Sequence, residues 1–161
     1  MNFFSKKGLT VIELLVVLVI IFILVSMCID QFDRFLMSYR LKAVARIVRS
    51  DFLYARSLAI KNGFQYRLAF ASSKMIDGTG AYEIQKGSAK KNSSYEASYQ
   101  DSTFFVRNLS KYKGIIIARY TNNPIFNPNG TVTSLATITL QNIYGKKIKI
   151  STSIAGRIKI K

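Results

Sequence analysis

Gly8-Leu9-Thr10-Val11-Ile12-Glu13 opens into Leu14-Leu15-Val16-Val17-Leu18-Val19-Ile20-Ile21-Phe22-Ile23-Leu24-Val25-Ser26-Met27-Cys28-Ile29, a run whose one hydroxyl is Ser26. As a helix rising about 1.5 Å per residue, the 21 residues from Leu9 to Ile29 span roughly the 30 Å hydrocarbon layer of a bilayer. A secretory signal would be shorter and end at a small-residue cleavage site. Here the run passes straight into Asp30-Gln31-Phe32-Asp33, so no cleavage is expected after it. Lys6 and Lys7 precede the run and Asp30 and Asp33 follow it, which keeps residues 1–8 cytoplasmic and exports the rest. Glu13 is the anomaly, because a carboxylate in a spanning segment costs about a few kcal/mol unless it is paired or reaches the interface. Alone, it reads either as an interfacial residue complementing the helix dipole or as a group that needs a partner.

The helix is expected to continue beyond the membrane. Leu41, Val44, Ala45, Val48, Phe52, Ala55 and Ala59 recur at steps of three and four, with Arg40, Lys42, Arg46 and Arg49 between them, the pattern of a helix lying on a core. Asn62-Gly63 supplies the stop. The period then changes to two, with Phe64, Tyr66, Leu68 and Phe70 on one face of a strand and Gln65, Arg67, Ala69 and Ala71 on the other. Asp77-Gly78-Thr79-Gly80 reads as a turn, Ala81 to Gln85 as a strand, and Lys86 to Asp101 as a polar loop in which Lys90, Lys91, Tyr95 and Tyr99 are available to a partner. Further strands are expected at Gly114 to Tyr120, Leu135 to Gln141, Lys146 to Ser151 and Arg157 to Lys161.

At 161 residues the chain has room for one modest domain and a membrane segment, and 49% hydrophobic content supports a real core. The absence of His and the single Cys remove the commonest zinc and copper ligands and any Ser-His or Cys-His pair. Cys28, within the apolar run, reads as a small buried hydrophobe. Asp51, Asp77, Glu83, Glu96 and Asp101 show no paired or metal-ligand spacing, so no enzyme, cofactor, metal or small-molecule substrate is expected.

Charge points elsewhere. The 24 Lys and Arg against 8 Asp and Glu give a formal +16, and no acidic residue follows Asp101 while ten basic ones run from Arg107 to Lys161. Polyanions are the natural partners of such a surface. In the last two strands Ile148 and Ile150 alternate with Lys147 and Lys149, and Ile158 and Ile160 with Arg157, Lys159 and Lys161. If Thr152 to Gly156 forms a hairpin, five cations share one exposed face. Two accounts compete: lysines that guard an edge strand against aggregation, and a phosphate-binding patch in which the planar fork of Arg157 is the best ligand.

A short basic leader, Gly8, and Glu13 five residues into an apolar helix together resemble the class III signal of type IV pilins and type II secretion pseudopilins. The resemblance implies that a prepilin peptidase cuts between Gly8 and Leu9 and methylates the new amine, and that Glu13 pairs with a neighbouring subunit's N-terminal amine during assembly. Leu9 stands where the family most often has Phe. A narrower resemblance, to the GspH/FimT family, rests on Ala55-Arg56-Ser57-Leu58-Ala59-Ile60, Phe126-Asn127-Pro128-Asn129-Gly130, Ile138-Thr139-Leu140, Ile148-Lys149-Ile150-Ser151 and Gly156-Arg157-Ile158-Lys159-Ile160. Pro128-Asn129-Gly130 also suits a tight turn, and Gly156 a positive φ at the hairpin.

These implications define an α+β, pilin-like expectation: leader 1–8, membrane or filament-core helix 9–29, amphipathic stem 30–62, and an antiparallel β-sheet head 63–161 on which the stem packs. Partners are prepilin peptidase, other major and minor pilins, and the inner membrane, with the head in the periplasm. FimT-like members include proteins that bind DNA in natural transformation through a Gly-Arg-x-Arg segment; here Lys159 replaces the second Arg. Arg157, Lys159, Lys161, Lys147 and Lys149 are the expected contacts to double-stranded DNA. The alternative is a GspH-like minor pseudopilin of type II secretion, working by protein contacts. Losing Lys6 and Lys7 with the leader leaves +14, so the case for DNA survives processing.

Overall fold

The computed structural model describes residues 10–70, 80–88, 99, 103–109 and 111–161, with backbone alone at 27–30. The Gly8-Leu9 junction, the Cys28 side chain, Asp77 to Thr79, and most of the 86–101 stretch with Lys90, Lys91 and Tyr95 lie outside the described residues.

One helix, α1, runs Val11–Asn62. The chain divides into two units, residues 1–36 and 37–161. In the first, the apolar run is helical, and from Val11 to Val25 its hydrophobic side chains are exposed. The helix is long and apolar enough to cross a membrane. Its start is capped, with the Glu13 N–H donating to Thr10 Oγ1 at 3.4 Å. Thr10-Val11-Ile12-Glu13 thus has the order of a capping box, of which the bond to the Thr10 side chain is formed. At the other end Gly63 takes φ +70° and its N–H bonds the Ala59 carbonyl at 3.0 Å, so α1 ends where Asn62-Gly63 places the stop.

In the second unit, the seven apolar positions from Leu41 to Ala59 are all buried, as their spacing predicts. They share one core with two four-stranded antiparallel sheets. The strands are β1 Tyr66–Ala69, β2 Ala81–Lys86, β3 Thr103–Asn108, β4 Ile115–Tyr120, β5 Ile125–Phe126, β6 Thr137–Asn142, β7 Lys147–Thr152 and β8 Ile158–Ile160. The first sheet has the order β3-β2-β1-β5 and the second β4-β6-β7-β8. Phe52 sits at the centre of the core, its ring 6.1 Å from that of Phe70 and 6.2 Å from that of Phe126.

Two strands escape the sequence reading. β3, Thr-Phe-Phe-Val-Arg-Asn, is an edge strand with Phe104 and Val106 exposed, so it lacks clean alternation. β5 is only two residues long. The polar face expected for β1 also differs, because Gln65 is buried: its amide donates to Asn127 Oδ1 at 2.9 Å, and the Tyr99 hydroxyl donates to its carbonyl oxygen at 3.5 Å. β1 lies between β2 and β5, and the Arg67 guanidinium sits 4.1 Å from the Tyr99 ring centroid, so this second face is covered as well.

Asp51 joins α1 to the first sheet. It accepts Arg107 Nε and Nη2 at 2.8 Å each and the Tyr82 hydroxyl at 2.5 Å. Burial first, then the negative charge of Asp51, holds the Tyr82 hydroxyl protonated well above the usual tyrosine range.

Candidate functional site

The second sheet builds a basic surface from its register. β6 and β7 pair Thr137 with Ser151, Thr139 with Lys149 and Gln141 with Lys147, while β7 and β8 pair Ser151 with Lys159. Lys149 and Lys161 exchange both backbone hydrogen bonds, at 2.9 and 2.8 Å, and so stand directly opposite each other. Ile138, Leu140, Ile148, Ile150 and Ile158 fill the core side. The period of two then sends Lys147, Lys149, Lys159 and Lys161 outward, and all four are exposed. Thr152 to Gly156 does connect β7 to β8 as a hairpin, closed by the Gly156 N–H on the Ser153 carbonyl at 2.9 Å.

Arg119 joins this face, and the alternation pattern does not mark it. A β-bulge between Ile117 and Arg119 resets the parity of β4 and sets Arg119 against Thr139. Arg119, Lys147 and Lys149, with Thr137, Thr139 and Gln141, line an open depression of about 660 Å³. Hydroxyls and an amide beside three cations are the donor set that binds phosphate oxygens. Arg157 is placed differently from the lysines: it stands exposed at the hairpin turn, in a cleft facing α1.

Among the described residues of the 37–161 unit, no exposed acidic side chain offsets these charges. The acidic side chains among those residues are Asp51 and Glu83, 6% and 8% exposed, and Asp51 is already paired with Arg107. Like charges directly opposite each other in a sheet are mutually destabilising, so the Lys149–Lys161 pair gains from any anion that settles between them. Glu13 belongs to the first unit, apart from this surface in the chain.

A long N-terminal helix and two antiparallel sheets define a pilin-like, α+β fold. The solved structures similar to it are those of minor pilins and minor pseudopilins. The type IV minor pilin FimU of Pseudomonas aeruginosa matches over 77% of this chain and 90% of its own, with 18% identity and a TM-score of 0.56. The minor pseudopilin EpsH from the Type 2 Secretion System of Vibrio cholerae matches over 76% and 96%, with 12% identity and a TM-score of 0.54. No family model and no curated protein matches the sequence. The fold expected from the GspH/FimT resemblance is the one observed.

Proposed function

We propose that this chain is a FimT-like minor type IV pilin that assembles into or primes a pilus and binds double-stranded DNA without sequence preference, for uptake in natural transformation. The observation that carries the reading is the outward row Lys147, Lys149, Lys159 and Lys161, with Arg119 beside it and no exposed acidic side chain among the described residues of the same unit. Such a surface recognises the phosphate backbone rather than bases, and binding releases counterions. The role is one of structure and binding, without a catalytic step.

The test is titration of the full chain, in zwitterionic nanodiscs, against duplex DNA at several salt concentrations. With about five phosphate contacts, log K is expected to fall against log salt with a slope near −4.5. Replacing Arg157, Lys159 and Lys161 together by Gln removes two of the five cations of that row, leaving about three contacts there and a slope near −2.7. A flat salt response, or unchanged affinity in the triple variant, would sink the reading.

A second reading, a GspH-like minor pseudopilin acting through protein contacts, draws support from the extent of the likeness to EpsH and from Phe104 and Val106 exposed on the β3 edge. It expects no more DNA affinity than the net charge alone confers. Both readings place the chain in the inner membrane, with its head in the periplasm, as a substrate of prepilin peptidase and a partner of other pilins through Glu13. N-terminal sequencing of the mature chain is expected to begin at methylated Leu9; a chain still beginning at Met1 after co-expression with the peptidase would contradict both.

A further inference from the structure

Arg157 departs from the row of lysines for a reason that lies in two turns. Gly156 takes φ +74°, and a Cβ built on it would lie 2.2 Å from the Gly130 carbonyl oxygen and 2.6 Å from Arg56 Nε. Gly130 takes φ +80° in the Asn127 to Thr131 turn, and its carbonyl accepts Arg56 Nε at 2.9 Å. The guanidinium of Arg56, on α1, is therefore lodged between two glycine turns. The turn bearing Gly156 is held against the helix there, with Arg157 next in the chain. Arg49 lies two helical turns before Arg56 and so on the same side of α1. Arg49, Arg56 and Arg157 line one cleft of about 300 Å³ whose apolar lining is Leu53, Ala155 and Ile158.

Three guanidinium groups around one cleft repel one another, and among the described residues no carboxylate pairs with any of them. Only one of Arg56's five donors is used by Gly130. A planar fork from the helix and another from the hairpin, facing one space, suit an oxyanion with several acceptor oxygens. The neighbouring Leu53 and Ile158 suit an esterified phosphate flanked by carbon better than a free one.

We infer that Arg49 and Arg157, with Arg56 between them, clamp a single backbone phosphodiester of bound DNA in the cleft between α1 and the β7–β8 turn. This rests on the DNA-binding reading above and adds two arginines of the stem helix to the contact surface. It also gives the Gly130 and Gly156 turns a joint purpose, which is to set Arg157 beside Arg56.

The test uses the full chain in zwitterionic nanodiscs and a 20-base-pair duplex, with Arg49→Gln, Arg157→Gln, their combination, and Lys111→Gln as a charge-matched control. Arg49 and Arg157 are exposed, so unchanged melting midpoints are expected in all variants. Each single change is expected to weaken binding about tenfold and to lower the salt slope by about 0.9, against less than about twofold for the control. Because both residues hold one phosphate, the double variant is expected to lose no more than about threefold beyond the singles and no further slope. Additive losses near a hundredfold with a slope change near 1.8 would place the two arginines on separate phosphates and overturn the clamp. An Arg49→Gln variant that behaves like the control, while the parent chain keeps its steep salt dependence, removes the clamp and leaves the DNA reading standing. A parent chain with no salt-dependent binding removes both. If Arg49→Gln instead weakens binding to phosphatidylglycerol vesicles and leaves DNA binding unchanged, the cleft takes a lipid headgroup and the inference is wrong.

Discussion

Gly156→Ala is expected to destabilise the head by about 3 kcal/mol and to weaken DNA binding at the same time. An L-residue at φ +74° costs roughly 1–2 kcal/mol by itself. The added methyl must also displace either the Gly130 carbonyl, 2.2 Å away, or the Arg56 guanidinium, and overpacking of that kind costs about 1–3 kcal/mol. Gly63→Ala isolates the first contribution, because Gly63 has φ +70° with nothing within 4 Å of its would-be Cβ. It is expected to cost only about 1 kcal/mol, with DNA affinity unchanged. Urea unfolding of the two variants side by side checks this. Equal losses would mean that the approach of the two turns contributes nothing.

Asp51→Ala has the other large effect, a loss of about 3–5 kcal/mol. The change strands the Arg107 guanidinium, which donates two bonds of 2.8 Å to that carboxylate, and removes the acceptor of the buried Tyr82 hydroxyl. Most of the cost is the desolvation of groups left without partners. A loss under about 1 kcal/mol in denaturant titration would show that water replaces the carboxylate freely. The same network sets a limit in alkali. An unfolded tyrosine ionises near pH 10, whereas Tyr82 in the fold keeps its proton well beyond that. Above about pH 10 the unfolded chain therefore binds fewer protons than the folded one, so this stabilisation is present below pH 10 and is lost as pH climbs past it.

The parts of the fold legible in the sequence are those where burial imposes a period. The core face of α1 and strands β6, β7 and β8 follow directly from steps of three to four and of two, and the end of α1 from Asn62-Gly63. β3 and β5 do not, since an edge strand with two exposed apolar residues and a two-residue strand carry no period to read. Gln65 is misread because its burial depends on Asn127 and Tyr99, far along the chain. In the candidate site, the four lysines of β7, β8 and the chain end are legible from alternation, whereas Arg119 depends on a bulge that alternation cannot register. The convergence of Arg49, Arg56 and Arg157 is a product of tertiary packing, and its one trace in the sequence is the pair of glycines at 130 and 156.

Arg56 has a mechanical consequence. Between residues 56 and 157 the polypeptide threads through both sheets, and a load carried along the chain from the β7–β8 turn would have to pass through much of that path to reach the helix. The bond from Arg56 to the Gly130 carbonyl and the seating of Gly156 against the same guanidinium short-circuit the route. A push on the β7–β8 turn toward α1 meets the planar guanidinium of Arg56 directly, and Arg56 shares that load with the Asn127 to Thr131 turn through the Gly130 carbonyl.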